Sequence, residues 1–270
     1  MIKRRWILLV LGLLVVILIG IGIFARDKIF PTEDRTWQTM KTNGVWRIGT
    51  DPSFPPFEQL DANGQPEGYD IDLARQIATQ WGLKVEIVSI GFDSLLDALQ
   101  AGKIDSVISA LPYDERLTQN VAYSTPYFEA GIRLAVRQDS SLTSADQLAT
   151  LKLAPKVAVE WGSTGDMVGR RLQRETPAIQ LIQFSTPEEA VNALVQDQTM
   201  SALLIDQVTL RQMQGEGKQL KAIGPVLESN PYVIAMPHKA SILQAQVAQA
   251  LGNLQTSAIV TKLETRWFDK

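Results

Sequence analysis

The residues in this chain that could do chemistry are a few carboxylates, one arginine, two hydroxyls at a helix start, and aromatics set among prolines. Gly162-Ser163-Thr164 follows a strand-like run and opens a helical one. The first N–H groups of a helix lack internal partners and its dipole favours an anion, so Ser163 and Thr164 could receive a carboxylate. An ordinary N-cap is the plainer role for either. Asp206 closes the apolar run 200–205. Ligands of open α/β sheets sit at such strand ends, although an aspartate there also caps helices. Arg116 lies in Ser109-Ala110-Leu111-Pro112-Tyr113-Asp114-Glu115-Arg116. Its planar guanidinium can hold one carboxylate through two parallel bonds, or pair with Asp114 or Glu115. Ser109 stands at the end of its own strand. Asp51 and Phe54 share a segment stiffened by Pro52, Pro55 and Pro56, where Asp51 could meet a polar group or bond its own backbone in a turn. Trp161 offers an aromatic face or a core side chain. The sequence has no cysteine, which excludes thiolate nucleophiles, disulfides and thiolate metal sites. Its single histidine, His238, sits in a turn before a helix and reads as a surface residue.

Alternating strands and helices must position these groups. Residues 45–49 read as a strand, and 70–81 as a helix with Ile71, Leu73, Ala74, Ile77, Ala78 and Trp81 on its apolar face. Gly82 stops that helix. A strand over 84–88, a helix over 92–101 ended by Gly102, and a strand over 105–110 follow. The theme restarts with strands at 156–160, 179–183 and 200–205, each followed by a helix, at 163–175, 186–196 and 206–214. Repeated strand–helix units predict α/β layers with mostly parallel sheets, in two units of similar layout.

Three stretches in fixed order are more specific than any single residue. They are Gly49-Thr50-Asp51-Pro52-Ser53-Phe54-Pro55-Pro56-Phe57-Glu58, then Gly68-Tyr69-Asp70-Ile71-Asp72-Leu73-Ala74, then 92–105, from Phe92-Asp93-Ser94 to Gly102-Lys103-Ile104-Asp105. From about Val45 to the C-terminus the chain resembles the extracellular solute-binding proteins of family 3, the polar amino-acid receptors of bacterial ABC import systems. The resemblance implies a two-lobed periplasmic-binding-protein-like fold of type II. It implies two hinge crossovers, for which 131–137 and 232–237 are the candidates, with lobe 1 formed by 44–133 and 234–270 and lobe 2 by 134–233. It also implies roles. Arg116 and Thr164 would hold a ligand carboxylate, Asp206 and Ser109 the ammonium, and Phe54 would cover the side chain. The family commonly has a longer, serine-rich segment before its arginine. Here Ala110 and Pro112 take two of those positions, and Pro112 has no N–H to donate. A hinged clamp that traps an amino acid and hands it to a membrane permease is the expected activity, with no cofactor and no catalysis. A tethered ligand sensor remains open. So does a cyclohexadienyl dehydratase-like enzyme, for which Asp51 and Glu58 would be the acid–base candidates, and so does an interaction module with an empty cleft.

At 270 residues and 45% hydrophobic content the chain can build one large or two modest domains. A net charge of −3 gives no electrostatic reason to bind nucleic acid. Lys3, Arg4 and Arg5 precede an uncharged apolar run from Trp6 to Phe24, long enough for the ~30 Å hydrocarbon layer. Residues 1–24 are expected to be an uncleaved membrane anchor with the N-terminus in the cytoplasm, a cleaved signal sequence being the alternative. Residues 25–43 read as a linker, and the remainder as a monomeric domain outside the membrane.

Overall fold

The computed structural model describes residues 34–268. The expected anchor, and the linker up to residue 33, lie outside them. Among the described residues no helix is long and apolar enough to cross a membrane.

Two five-stranded sheets of matching plan organise the chain. Across the first, the strands run Lys84–Ser89, Val45–Thr50, Ser106–Val107, Ala235–Pro237, Val121–Tyr123. Its first three are parallel, and the two that follow are antiparallel to their neighbours. Across the second, the order is Gln180–Phe184, Lys156–Glu160, Met200–Asp206, Ile132–Arg137, Leu220–Glu228. Again the first three are parallel and the rest antiparallel. The helices follow the apolar periodicity: Tyr69–Trp81 buries Ile71, Leu73, Ala74, Ile77 and Ala78, and Gly82 ends it in the left-handed conformation. The expected helix over 92–101 divides into a 3₁₀ turn, Phe92–Ser94, and a short α-helix, Leu95–Gln100.

The core of the first lobe is centred on Phe57, which packs edge-on against Tyr69, Phe128, Tyr232 and Phe268. The C-terminal helices Ser241–Gln255 and Ile259–Phe268 supply Leu243, Val247, Leu251, Trp267 and Phe268 to this core. The second lobe has apolar layers on both faces of its sheet, one around Leu134 and Val159, the other around Val191 and Leu203.

The second half of the expected linker is folded. Arg35–Asn43 is a helix whose Met40 is buried in the first core. Buried Asp34 caps it at Trp37 N and also accepts from Leu243 N at 2.8 Å, tying it to a C-terminal helix. The segment shows no sustained apolar period because one buried methionine and one cap, rather than a stripe, fix it in place.

The chain passes between the sheets through a two-stranded ribbon, Phe128–Glu129 against Pro231–Tyr232. The candidate segment 131–137 follows the ribbon's first strand, 232–237 begins within its second, and they run into the two sheets. The Glu129 carboxylate ties the ribbon together, accepting from Gly131 N, Asn230 N and Ser229 Oγ. Gly131 is required by proximity, since a Cβ there would collide with the Glu228 carbonyl.

Candidate functional site

Two hollows lie at the ends of the parallel strands, one in each lobe. The first, about 300 Å³, is mostly apolar and is lined by Phe54, Phe92, Pro112 and Tyr232, with Asp51, Ser53, Ser109 and Glu58 among its polar groups. Phe54 is about half exposed and stacks on buried Phe57 at 5.8 Å between ring centroids. Its loop is pinned by backbone bonds between Phe54 and Glu58 and includes a cis Pro55–Pro56 peptide. Asp51 accepts from Phe92 N through Oδ2 at 2.8 Å, and no described residue takes its Oδ1.

The Ser109 hydroxyl is fully engaged. It accepts from Asp51 N at 2.9 Å and donates to Glu58 Oε1 at 3.1 Å. It therefore holds two loops together, and only the Ser109 backbone is left to offer a ligand. Ala110 follows at φ 41°, a left-handed conformation costly for a residue with a Cβ. Its N–H donates to buried Asp70 at 2.6 Å, which holds it there. Burial, then the neighbouring charge of Asp70, pushes the Glu58 carboxyl far above its ordinary range. Burial also raises Asp70, against the bonds from Ala110, Glu58 and Tyr127 that lower it.

The second hollow, about 200 Å³, gathers Ser163, Thr164, Gly165 and Asp206, with Glu160 and the apolar Ile132 beside them. The strand Lys156–Glu160 turns through Gly162 into the helix Thr164–Glu175. Ser163 is the N-cap of that helix, accepting from Asp166 N and donating to the Glu160 carbonyl. No described residue bonds the Thr164 hydroxyl, so that group and the first two N–H groups of the helix, those of Thr164 and Gly165, are free for an anion. Asp206 caps the next helix through Oδ1, accepting from Thr209 N at 2.9 Å, and no described residue takes its Oδ2.

The hollows are linked near the ribbon. Tyr232 lines the first and is raised by burial and by the charge of Asp206 from the second. The helix that starts after Asp206 donates from Gln207 N to Gly131 O in the crossover.

The structure thus brings Asp51, Phe54 and Ser109 together, and separately Ser163, Thr164 and Asp206. It leaves Arg116 and Trp161 outside both hollows. Arg116 lies in the short 3₁₀ turn Glu115–Leu117, its side chain 87% exposed and bonded to Asp114 at 2.7 Å. That pair holds the Asp114 carboxyl below its ordinary range. Arg116 lines an adjoining hollow that shares Phe92 and Pro112 with the first. Trp161 is 68% exposed and borders a shallow depression with Phe184 and Glu189. Sequence reasoning did not place Tyr232, Phe92 or Asp70 at the site, and it considered Glu58 only as a catalytic acid. Glu58 and Asp70 do lie in the first two of the three quoted stretches, so an acid within each was the available signal.

Two α/β lobes joined by a two-stranded ribbon, with polar strand ends in each, define a two-lobed solute-binding protein. The profile of the bacterial extracellular solute-binding proteins, family 3, matches residues 46–270, and the chain belongs to that family. The histidine-binding periplasmic protein of Salmonella typhimurium (strain LT2) is 26% identical over 231 residues, covering 83% of this chain and 87% of that protein. The solved structure of an ancestral cationic amino acid solute-binding protein is 28% identical, with a TM-score of 0.63, over 86% of this chain and 99% of that one. An ancestral cyclohexadienyl dehydratase superposes with a TM-score of 0.74 at 22% identity, over 86% and 95% of the two chains. That likeness shows the fold alone.

Proposed function

We propose that this chain captures a free amino acid with a polar or cationic side chain between its lobes and delivers it to an ABC-type permease. The observation that carries this reading is the pairing of charges in the second hollow: free helix N–H groups and the Thr164 hydroxyl for a carboxylate, and the open Asp206 Oδ2 for an ammonium. The first hollow supplies what a side chain needs, the Phe54 and Phe92 rings and the free Asp51 Oδ1. The named relatives, a histidine binder and a cationic amino acid binder, support the same class.

Lobe 1 comprises 44–133 and 234–270 and lobe 2 comprises 134–233 in this reading, and the ribbon Phe128–Glu129 with Pro231–Tyr232 is the hinge. Closure brings the hollows onto one ligand, whose preference for the closed state shifts the equilibrium. Arg116 exchanges Asp114 for the ligand carboxylate, a rotation open to a side chain this exposed. Ser109 contributes through its backbone, Ser163 through its cap, and Trp161 as a rim that meets lobe 1 on closing. Residues 1–24 anchor the monomeric receptor outside the membrane. It binds no nucleic acid.

A thermal-shift screen of the purified chain against the common amino acids tests this. Ligand at 100 times its Kd adds about 2.7 kcal/mol to stability. Arginine, lysine or histidine should shift the transition and leucine should not. A flat response to every amino acid would overturn the reading. Binding rather than turnover is our reading, in line with the histidine binder and the cationic amino acid binder named above. Turnover of prephenate or arogenate would reverse that conclusion.

A further inference from the structure

Glu58 and Asp70 are almost completely buried beneath the first hollow. None of the ion pairs among the described residues includes either of them. The groups that face them are acids and phenols: Asp51 from the strand end, Tyr69 from the helix of Asp70, and Tyr127 and Tyr232 from the segments leading to the ribbon. Arg211, the cation whose charge acts on Tyr69, is itself paired with Glu264. Two bare carboxylates in such a place would repel each other with nothing to compensate.

The donors are arranged with a direction. Asp51 N–H donates to Ser109 Oγ, and Ser109 O–H donates to Glu58 Oε1. Ala110 N–H and Tyr127 O–H both donate to Asp70 Oδ2, the latter at 2.8 Å. Glu58 Oε2 and Asp70 Oδ1 are left buried with no donor from the described residues, and the two carboxyls converge on consecutive residues, Glu58 on Ser109 and Asp70 on Ala110. A proton held between the two carboxyls would give both orphan oxygens a partner.

We propose that Glu58 is a neutral acid whose proton is shared with the Asp70 carboxylate, and that this one proton fastens the Asp51, Phe54–Glu58 and Ser109–Ala110 segments into the first-lobe half of the site. Glu58 is a positioning residue here, acting through Ser109 and Asp70. The idea does not depend on which ligand is bound.

The test is urea unfolding of the whole chain, wild type against E58Q, D70N and the double variant, from pH 5 to pH 9. The native acid keeps its proton where the unfolded glutamate has lost it. The native state therefore binds more protons, and stability falls as pH rises above the usual glutamate range. E58Q carries its donor permanently, so its folding constant relative to wild type should grow by about tenfold per pH unit. D70N places an amide donor against Glu58 and should also lose the slope. The double variant sets two –NH2 groups face to face and should be weaker than either single variant. Amide hydrogen exchange at Asp51 and Ala110 should remain slow in E58Q and become fast in E58L. A pH slope in E58Q equal to that of wild type would overturn the proposal, as would an additive double variant or equal exchange in E58L and E58Q.

Discussion

In the second lobe, the groups proposed to meet a ligand stand where secondary elements begin. Thr164 opens a helix and Asp206 stands between a strand and a helix, and local hydrogen bonds of Ser163 and Asp206 complete both turns. In the first lobe, the corresponding surface is made of loops, held by bonds that join residues 51 with 109, 58 with 109, and 70 with 110 and 127. One half of the site is assembled by the backbone rules of helix ends, and the other by a buried polar network that exists only when distant segments meet. The first kind survives loss of one side chain. The second is cooperative, because each partner removed leaves another buried and unsatisfied.

The largest test of that contrast is Asp206→Ala. Removing the carboxylate proposed to face a ligand ammonium should weaken binding by about 2–5 kcal/mol, with a further cost of about 1 kcal/mol in stability for the lost cap. Asp206→Asn separates the two, since asparagine caps as well as aspartate. Titration calorimetry should show weak binding in both variants, and thermal melts should show a stability loss only in the alanine one. Normal affinity in the asparagine variant would remove Asp206 from the site.

Gly68→Ala probes the other half. Gly68 has φ 143°, and a Cβ there would strike the Phe57 carbonyl, next to Glu58. Strain and overpacking should cost about 1–3 kcal/mol in urea unfolding, with the loss confined to the first lobe. Hydrogen exchange should then rise at Ala110 and stay unchanged along the helix Thr164–Glu175. Equal loosening of both lobes would mean that they do not fold as separate networks.

The difference between the halves also explains what could be read in advance. Strand–helix alternation and the glycine stops were legible because each is local, and so was the place of Thr164 and Asp206 at the start of helices. The helix Arg35–Asn43 was not, because its single buried Met40 and the Asp34 bond to Leu243 are tertiary facts. The engaged hydroxyl of Ser109 and the shared environment of Glu58 and Asp70 were hidden for the same reason. Arg116 was legible as a forked cation, but its pairing was not: the competing partner, Asp114, is two residues away and is the one it holds here.

Within the second hollow, two neighbouring hydroxyls should behave differently. Thr164→Val keeps shape and removes a hydroxyl with no internal partner, so it should leave stability intact and lower affinity by about 1.5–3 kcal/mol, the range for bonds to a charged group. Ser163→Ala should do the reverse, with about 1 kcal/mol lost from stability through the cap and little change in binding. If the two variants exchange these phenotypes, the anion is held by the cap residue itself.

The smallest effect belongs to Trp161→Ala. This side chain is 68% exposed and lines neither hollow, so its removal should change stability by less than about 0.5 kcal/mol. Its value lies in what happens on binding. A large aromatic exposed beside a cleft is stable in water only at the cost of hydrated apolar surface, and closure against the other lobe would bury it. Affinity should therefore fall while the free protein is unchanged, and the heat-capacity change of binding should become less negative, since less apolar area leaves water. Unchanged affinity and heat capacity would mean that the lobes close without using this rim, and that recognition is confined to the two hollows.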